Sequence, residues 1–490
     1  MFSDAVFFFP ESLILFFAFV FFLFAVFKNE IDLKSNLFFY KGMFCFFFMS
    51  GIIFLYESFF FEFGMQDIIF KSTFGNGLQL FLFYLVITYV FVILRILYQE
   101  QYRILEFLIF LFMSWYGIFM VFSLKNFLFL YIVLELVSFG FYLLTAYNRK
   151  KLFSLESGFK YFVLSSFSSM FMLLGISLVY GFLGNLSISD LSLYTSTLNI
   201  LGNSAVDNFY VLCMFSFLCI LVGISFKLYV FPFHFWVSDI YQGSMIASAF
   251  LFSIISILPF FVFLNVLYEG YTVLFFSNNS YYIFFFLSLG SMFVGSIAAV
   301  QQMMVRRTLA YSSVSTVGYY FTYFLYPDFV MIRDVIFFII IYITTLLGFW
   351  LIYLNCKHLN SNTFIEQIQS FSNFVNYNRL FSCIILFFML SLGGIPPFPS
   401  FFAKLYLLSD LIFREMFIVV ALFLLITLIS FFFYLRIGKF AVFFYKKNWE
   451  FFSNSIYLNS FLCLFVTGLN GFILFYASDI LITCEFLLSI

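Results

Sequence analysis

Uninterrupted apolar runs of about 20 residues recur from one end of this chain to the other, each long enough to carry a helix across the ~30 Å hydrocarbon core of a bilayer. Lipid offers no hydrogen bonds, so a chain built from such runs must cross as helices that satisfy their own backbone. By that measure the sequence holds about fourteen spans. The first three are Pro10–Phe27, Met43–Phe61 and Leu78–Tyr98. Ile104–Phe122, Phe127–Tyr147, Phe159–Phe182, Phe209–Trp236 and Met245–Tyr268 follow. Then come Tyr281–Val300, Leu309–Tyr326, Val335–Tyr353, Phe381–Leu408, Met416–Tyr434 and Ile456–Tyr476. The polar loops Gly184–Asn208 and Leu354–Tyr377 are too short to fold alone. The expected fold is therefore an all-α integral membrane protein. Only 9% of residues are charged, against about 25% in a soluble domain, which leaves too little charge to cover a water-facing surface.

The 23 basic and 23 acidic residues balance, and a neutral chain gives no reason to expect nucleic acid as a partner. The seven cysteines stand singly at 45, 213, 219, 356, 383, 463 and 484, without a C-x-x-C pair, so neither zinc nor iron–sulfur ligation is expected. The amino terminus has neither the basic n-region of a signal peptide nor an Arg/Ser-rich presequence. Ninety-one phenylalanines exceed what packing requires. They suggest an AT-rich coding genome of the kind organelles carry, because TTT encodes Phe.

Basic residues alternate along the loops. About fifteen fall in odd-numbered loops, among them Lys28, Lys34, Lys41, Arg149, Lys150, Lys151, Lys446 and Lys447, and about four in even-numbered ones: Lys71, Lys125, Arg333 and Arg414. The positive-inside rule then puts odd loops on the matrix or cytoplasmic side and both termini on the opposite face. Four basic residues remain. Arg95 is near a span end and can snorkel, and Lys160 opens the sixth span, where an interfacial anchor and a functional amine are both admissible. Lys227 and Lys404 lie deeper. Among the acids, Glu135 alone falls near mid-span, and a lysine on a neighbouring helix is its expected partner.

Lys227 belongs to Gly223-Ile-Ser-Phe-Lys-Leu-Tyr-Val-Phe-Pro-Phe-His-Phe-Trp236. A lysine at that depth costs about 2.5–3.5 kcal/mol on insertion scales. Pro232 has no N–H to donate and opposes the carbonyl four residues back, so the helix should break there. His234 follows at once, one of two histidines in the chain. A charge, a helix break and a titratable ring together suggest a proton or ion site; the plainer alternative is a kinked helix with a snorkelling lysine. The twelfth span carries the matching break, Leu390-Ser-Leu-Gly-Gly-Ile-Pro-Pro-Phe-Pro-Ser-Phe-Phe-Ala-Lys404. The breaks lie five spans apart, so their segments cross in opposite directions, as in an inverted-topology repeat. The domain plan is then three amino-terminal spans in 1–100, one five-helix repeat in 101–270, its inverted counterpart in 271–440 and a last span in 441–490.

These residues resemble a known family, the antiporter-like proton-translocating subunits of respiratory complex I, and within it the subunit 2 branch. The resemblance rests on Leu134-Glu-Leu-Val-Ser138 with Tyr142, on Lys160-Tyr-Phe162 and on Phe226-Lys227. It continues through Pro232-Phe-His-Phe-Trp-Val-Ser-Asp-Ile-Tyr-Gln-Gly-Ser244 and Arg307-Thr-Leu-Ala-Tyr-Ser-Ser-Val-Ser-Thr-Val-Gly-Tyr319. Gly394-Ile-Pro-Pro397 and Phe402-Ala-Lys404 complete a collinear set over roughly residues 100–440. The resemblance implies proton transfer by Glu135, Lys227, His234 and Lys404, with Lys160 as an accessory basic residue. It also implies a place in the membrane arm of a mitochondrial inner-membrane NADH:ubiquinone oxidoreductase, beside other antiporter-like subunits and lipids. NADH, FMN, iron–sulfur clusters and ubiquinone would then sit in partner subunits, with no cofactor and no metal in this chain. One position departs from the family, since Ser256 stands about where the eighth span usually carries a lysine. Two rivals stay open: an Mrp-type cation/proton antiporter subunit, and a structural span of the complex whose proton path is inactive.

The expected chemistry follows from these residue types. Burial disfavours a charged amine and a nearby carboxylate favours it, so movement of the acid can load and unload the lysine. Arginine stays protonated and could not serve. Moving one charge through the potential takes about 2.3 kcal/mol per 100 mV, which proton-affinity changes of two to three units would match.

Overall fold

A computed structural model of the chain describes residues 11, 14–16, 18–20, 22, 62–64, 69–201, 204–255, 257–271, 278–357, 364–372, 378–444 and 464–471. The expected span Met43–Phe61 lies outside these residues, and Pro10–Phe27 and Ile456–Tyr476 largely do. Among the described residues, nine helices are long and apolar enough to cross a membrane. The protein is all-helical as expected, apart from one short strand pair. A short antiparallel pair, β1 (Glu62–Gly64) and β2 (Ile69–Lys71), matches Glu62 to Lys71 and Gly64 to Ile69. This link between two expected spans has backbone groups that no helix satisfies, and strand pairing supplies partners for them.

The described residues form two compact units. The first runs up to Leu228 and resumes over Gly243–Ser280. It contains α1 (Thr73–Gln99), α2 (Ile104–Val121), α3 (Phe127–Thr145), α4 (Leu152–Leu183), α5 (Ile188–Leu201), α6 (Ser204–Lys227), α8 (Ile246–Ile255) and α9 (Ile257–Gly270). Polar side chains start these helices where the sequence supplies them. The Ser72 hydroxyl accepts from Gly75 N at 3.0 Å and the Asn126 side chain from Leu128 N at 3.0 Å, each satisfying an otherwise orphaned donor.

α4 and α6 lie close together because small residues line their crossing. A Cβ on Gly175 would stand 2.8 Å from Ser216 O, and one on Gly223 would stand 2.8 Å from Met172 Cβ. Lipid tails are as apolar as the side chains, so close backbone approach, rather than water expulsion, holds such helices together. α4 begins seven residues before the expected sixth span, at Leu152 instead of Phe159. α5 was not expected, because its loop carries few apolar residues. It forms because Ile188 and Leu191, both buried and three apart, face one side, and Leu191 Cδ2 packs against Gly270 at the end of α9.

The second unit takes Tyr229–Gln242 and the chain from Tyr281 onward. It contains most of the short α7 (Val237–Gly243) and of α10 (Asn278–Gln301), then α11 (Val305–Phe321), α12 (Phe329–Tyr353), α13 (Arg379–Gly393), α14 (Pro399–Phe413) and α15 (Phe417–Val442). α11 continues as one 3-10 turn over Thr322–Leu325. Almost all of α11 is buried despite its hydroxyls. Ser312, Ser313 and Thr316 donate to the carbonyls three residues back at 2.8, 2.7 and 2.9 Å, which makes their burial tolerable.

At the α10–α11 crossing, a Cβ on Gly295 would stand 2.5 Å from Ser315 N and 2.9 Å from Tyr311 O. Those are backbone atoms and cannot rotate away. Gly295→Ala is expected to lower stability by about 1–3 kcal/mol through overpacking, read as an earlier thermal unfolding in detergent. An unchanged transition would show that this crossing yields more than close packing permits.

Candidate functional site

In the first unit the chemistry gathers where α6 stops. Lys227 is its last residue, at the carbonyl end of the helix, where the peptide dipoles favour a cation. The side chain reaches α3, where Nζ stands 3.2 Å from Glu135 Oε1 and donates to Leu134 O at 3.3 Å. The Lys227 side chain is 3% exposed and that of Glu135 is 31% exposed. The pair therefore has one dry member and one that opens outward. Around Glu135, α3 presents Leu128, Ile132 and Phe139, all exposed, so the carboxylate is the charged group on an otherwise apolar stripe. The Ser138 hydroxyl, one turn on, donates to Glu135 O at 2.8 Å and stands 3.5 Å from Glu135 Oε2. Ser138 was within reach of sequence reasoning, since three residues in a helix put two side chains on one face.

Lys160 is not part of this pair. It lies well inside α4 instead of opening it, because the helix starts earlier than expected. Its Nζ stands 2.8 Å from Glu156 Oε1, one turn back, and both side chains are well exposed. Ser256 lies outside the described residues.

In the second unit the seventh-span break is an irregular segment from Tyr229 to Trp236. Tyr229 has φ +49°, and the Phe231–Pro232 peptide is cis. Phe233 N donates to Val230 O at 2.7 Å, and α7 resumes after His234, whose carbonyl accepts from Val237 N at 3.2 Å. The Phe231 ring seats the turn, lying where a Cβ on Gly290 of α10 would stand 2.6 Å from Cδ1. His234 is buried, its ring 4.6 Å from that of Phe235, and its Nδ1 has no hydrogen-bond partner among the described residues. A buried ring nitrogen of that kind is a position that water or a moving proton can occupy.

The twelfth-span break separates α13 from α14. α13 ends at Gly393, and Gly394 turns the chain with φ +79°, donating its N–H to Leu390 O at 3.2 Å. Lys404 returns from the second turn of α14 and donates through Nζ to Gly393 O at 3.1 Å. The amine is buried and stands 5.6 Å from the centroid of the Tyr319 ring. Among the described residues no carboxylate forms an ion pair with it. Lys404 thus differs from Lys227, being held by a helix-end carbonyl and an aromatic face. Neither partner could be read from sequence, because Tyr319 arrives from a different helix and Gly393 contributes only backbone. Among the described residues, no hydrogen bond joins His234 to Lys404.

The candidate residues therefore fall into separate sets: an acid–amine pair in the first unit, and a buried imidazole and a second buried amine in the second. No group of side chains able to hold a metal ion occurs among the described residues.

Comparison with known proteins gives the family. The family described as NADH:quinone oxidoreductase/Mrp antiporter, transmembrane, matches residues 124–430. NADH-quinone oxidoreductase subunit N of Pelagibacter ubique is 34% identical over 346 residues, covering 70% of each chain. NADH-ubiquinone oxidoreductase chain 2 of Marchantia polymorpha is 30% identical over 353 residues, covering 72% of this chain and 70% of that one. Among solved structures, a chain of respiratory complex I from Thermus thermophilus matches 96% of this chain and 98% of its own length with a TM-score of 0.75. Its sequence is 19% identical, so that likeness is one of fold. The matched residues 124–430 take in Glu135, Lys227, His234 and Lys404 together, and the chain belongs to the NADH:quinone oxidoreductase/Mrp antiporter family of membrane subunits, alongside subunit N and chain 2.

Proposed function

We propose that this chain is a proton-translocating membrane-arm subunit of an NADH:ubiquinone oxidoreductase, respiratory complex I. The observation that carries the reading is the Lys227–Glu135 pair, 3.2 Å apart at the end of a broken helix, with one member dry and the other open. A purely structural pair gains nothing from such asymmetry, since burying one charge costs several kcal/mol. A proton carrier gains a switch. When Glu135 stands beside Lys227 the amine holds its proton, and when the acid turns outward the amine releases it. His234 then relays within the broken segment and Lys404 takes the proton toward the exit. Lys160, paired with Glu156 on an exposed helix face, is an accessory that shapes the local charge.

The redox chemistry belongs to partner subunits that carry NADH, FMN, iron–sulfur clusters and ubiquinone. The apolar stripe around Glu135 suits a neighbouring membrane subunit or lipid. The finer architecture proposed is fourteen spans with two inverted five-helix repeats, 101–270 and 271–440, each interrupted once. Support comes from the interruptions after Lys227 and after Gly393, which lie five spans apart in the expected order. The proposed location is the mitochondrial inner membrane, with both termini in the intermembrane space. The loop charges, the phenylalanine excess and the similarity to the Marchantia chain support it.

The family also takes in Mrp antiporters, so cation/proton exchange is the second reading. Proteoliposomes carrying the NADH-oxidising assembly separate the two. Uncoupler-sensitive proton uptake driven by NADH, unaltered when sodium is removed, is expected. Sodium movement by the isolated chain, with no association with an NADH-oxidising assembly, would replace the first reading by the second.

A further inference from the structure

Lys404 needs an acceptor on its way out, and α14 carries one. The buried face of α14 runs through Lys404, Leu407 and Asp410. At about 1.5 Å per residue, six residues put the carboxyl some 9 Å along the helix from the amine, a distance that a few waters span. Asp410 is 9% exposed and meets Asp334 of α12, which is 1% exposed. The two carboxyls lie within hydrogen-bonding reach of each other. Among the described residues, Oδ2 of each finds no N–H or O–H donor.

The charged surroundings stop short of neutralising both acids. Arg333 Nε stands 2.8 Å from Asp334 Oδ1. Arg414 also faces Asp410, but its guanidinium is engaged by Asp328 Oδ2 at 2.6 Å and lies against the Tyr326 ring. Two buried carboxylates in contact cannot both ionise, and a proton shared between them supplies the donor that each Oδ2 lacks. Asp334 escaped notice in the sequence because its span was expected to begin at Val335, whereas α12 begins at Phe329.

We propose that Asp334 and Asp410 form a proton-sharing pair that takes protons from Lys404 and passes them to the membrane face bearing Asp328 and Arg414. This rests on the proton-translocation reading above. In the transfer, the Lys404 ammonium gives its proton through water to the ionised member of the pair, leaving a neutral amine and two protonated carboxyls. One proton then leaves to bulk water and the pair returns to sharing the other.

The experiment uses the intact assembly. Infrared difference spectroscopy is expected to show a protonated-carboxyl stretch that shifts in D2O and is lost in both Asp410→Asn and Asp334→Asn, since neither acid then has a carboxyl with which to share a proton. NADH-driven proton output is expected to fall in Asp410→Asn and to return in Asp410→Glu, which keeps the acid. The wild-type infrared band needs no variant to assemble, and its absence overturns the pair. A band unchanged in both Asn variants does so as well. Loss of output in Lys404→Met with normal output in Asp410→Asn overturns this proposal alone, whereas normal output in Lys404→Met removes the translocation reading beneath it.

Discussion

Glu135→Gln is expected to abolish proton output from the assembly and to destabilise it more than Lys227→Met does. The reason is the unequal burial of the pair. Removing the acid strands Lys227, 3% exposed, without a counter-charge. Breaking a buried pair in that way costs about 3–5 kcal/mol. Removing the amine strands Glu135 instead, but that side chain is 31% exposed and can draw in water or polar headgroups. Lys227→Met therefore loses transport at a smaller stability cost, because methionine fills the same volume in an apolar setting. Thermal unfolding of the purified assembly, together with protons moved per electron, checks both halves. Equal destabilisation would mean that Glu135 is as dry as Lys227 in the assembled complex. An unchanged proton-to-electron ratio in Lys227→Met would leave the chain as a structural span.

Gly394→Ala is the second large effect. The residue holds φ +79°, a conformation that costs an L-residue about 1–2 kcal/mol. The added methyl would also stand 2.9 Å from both Cδ and Nζ of Lys404. The side chain must give way, and the hydrogen bond from Nζ to Gly393 O is lost. The expectation is impaired proton output with NADH oxidation retained in uncoupled membranes, since nothing at the redox centres has changed. The control is Gly181→Ala, where a Cβ meets nothing within 4 Å. Its output should match the unmodified protein. If both variants pump normally, the position of Lys404 does not depend on the turn that cradles it.

Much of this molecule is legible in its amino-acid sequence. Lipid cannot hydrogen bond, so long apolar runs had to be helices, and α2 and α3 begin at the expected residues Ile104 and Phe127. Pro232 and the Gly-Gly-x-Pro-Pro run had to interrupt their spans, for want of donors, and the chain breaks at both. Charges are rare in such a chain, so Glu135, Lys227 and Lys404 stood out by depth alone.

What sequence could not supply was proximity. A lysine on a neighbouring helix was the expected partner of Glu135, and side-chain spacing along one helix says nothing about which neighbour packs against it. The small residues at the α4–α6 crossing and the early start of α4 settle that choice, leaving Lys160 with Glu156 and Lys227 with Glu135. The partners of Lys404, a carbonyl and a ring face, leave no periodic trace. Asp334 and Asp410 are unremarkable span-end acids until two helices bring them together. Hydrophobic periodicity is a property of each segment and survives in the sequence. Which polar atoms meet depends on how helices cross, and that is decided by close packing between residues far apart in the chain.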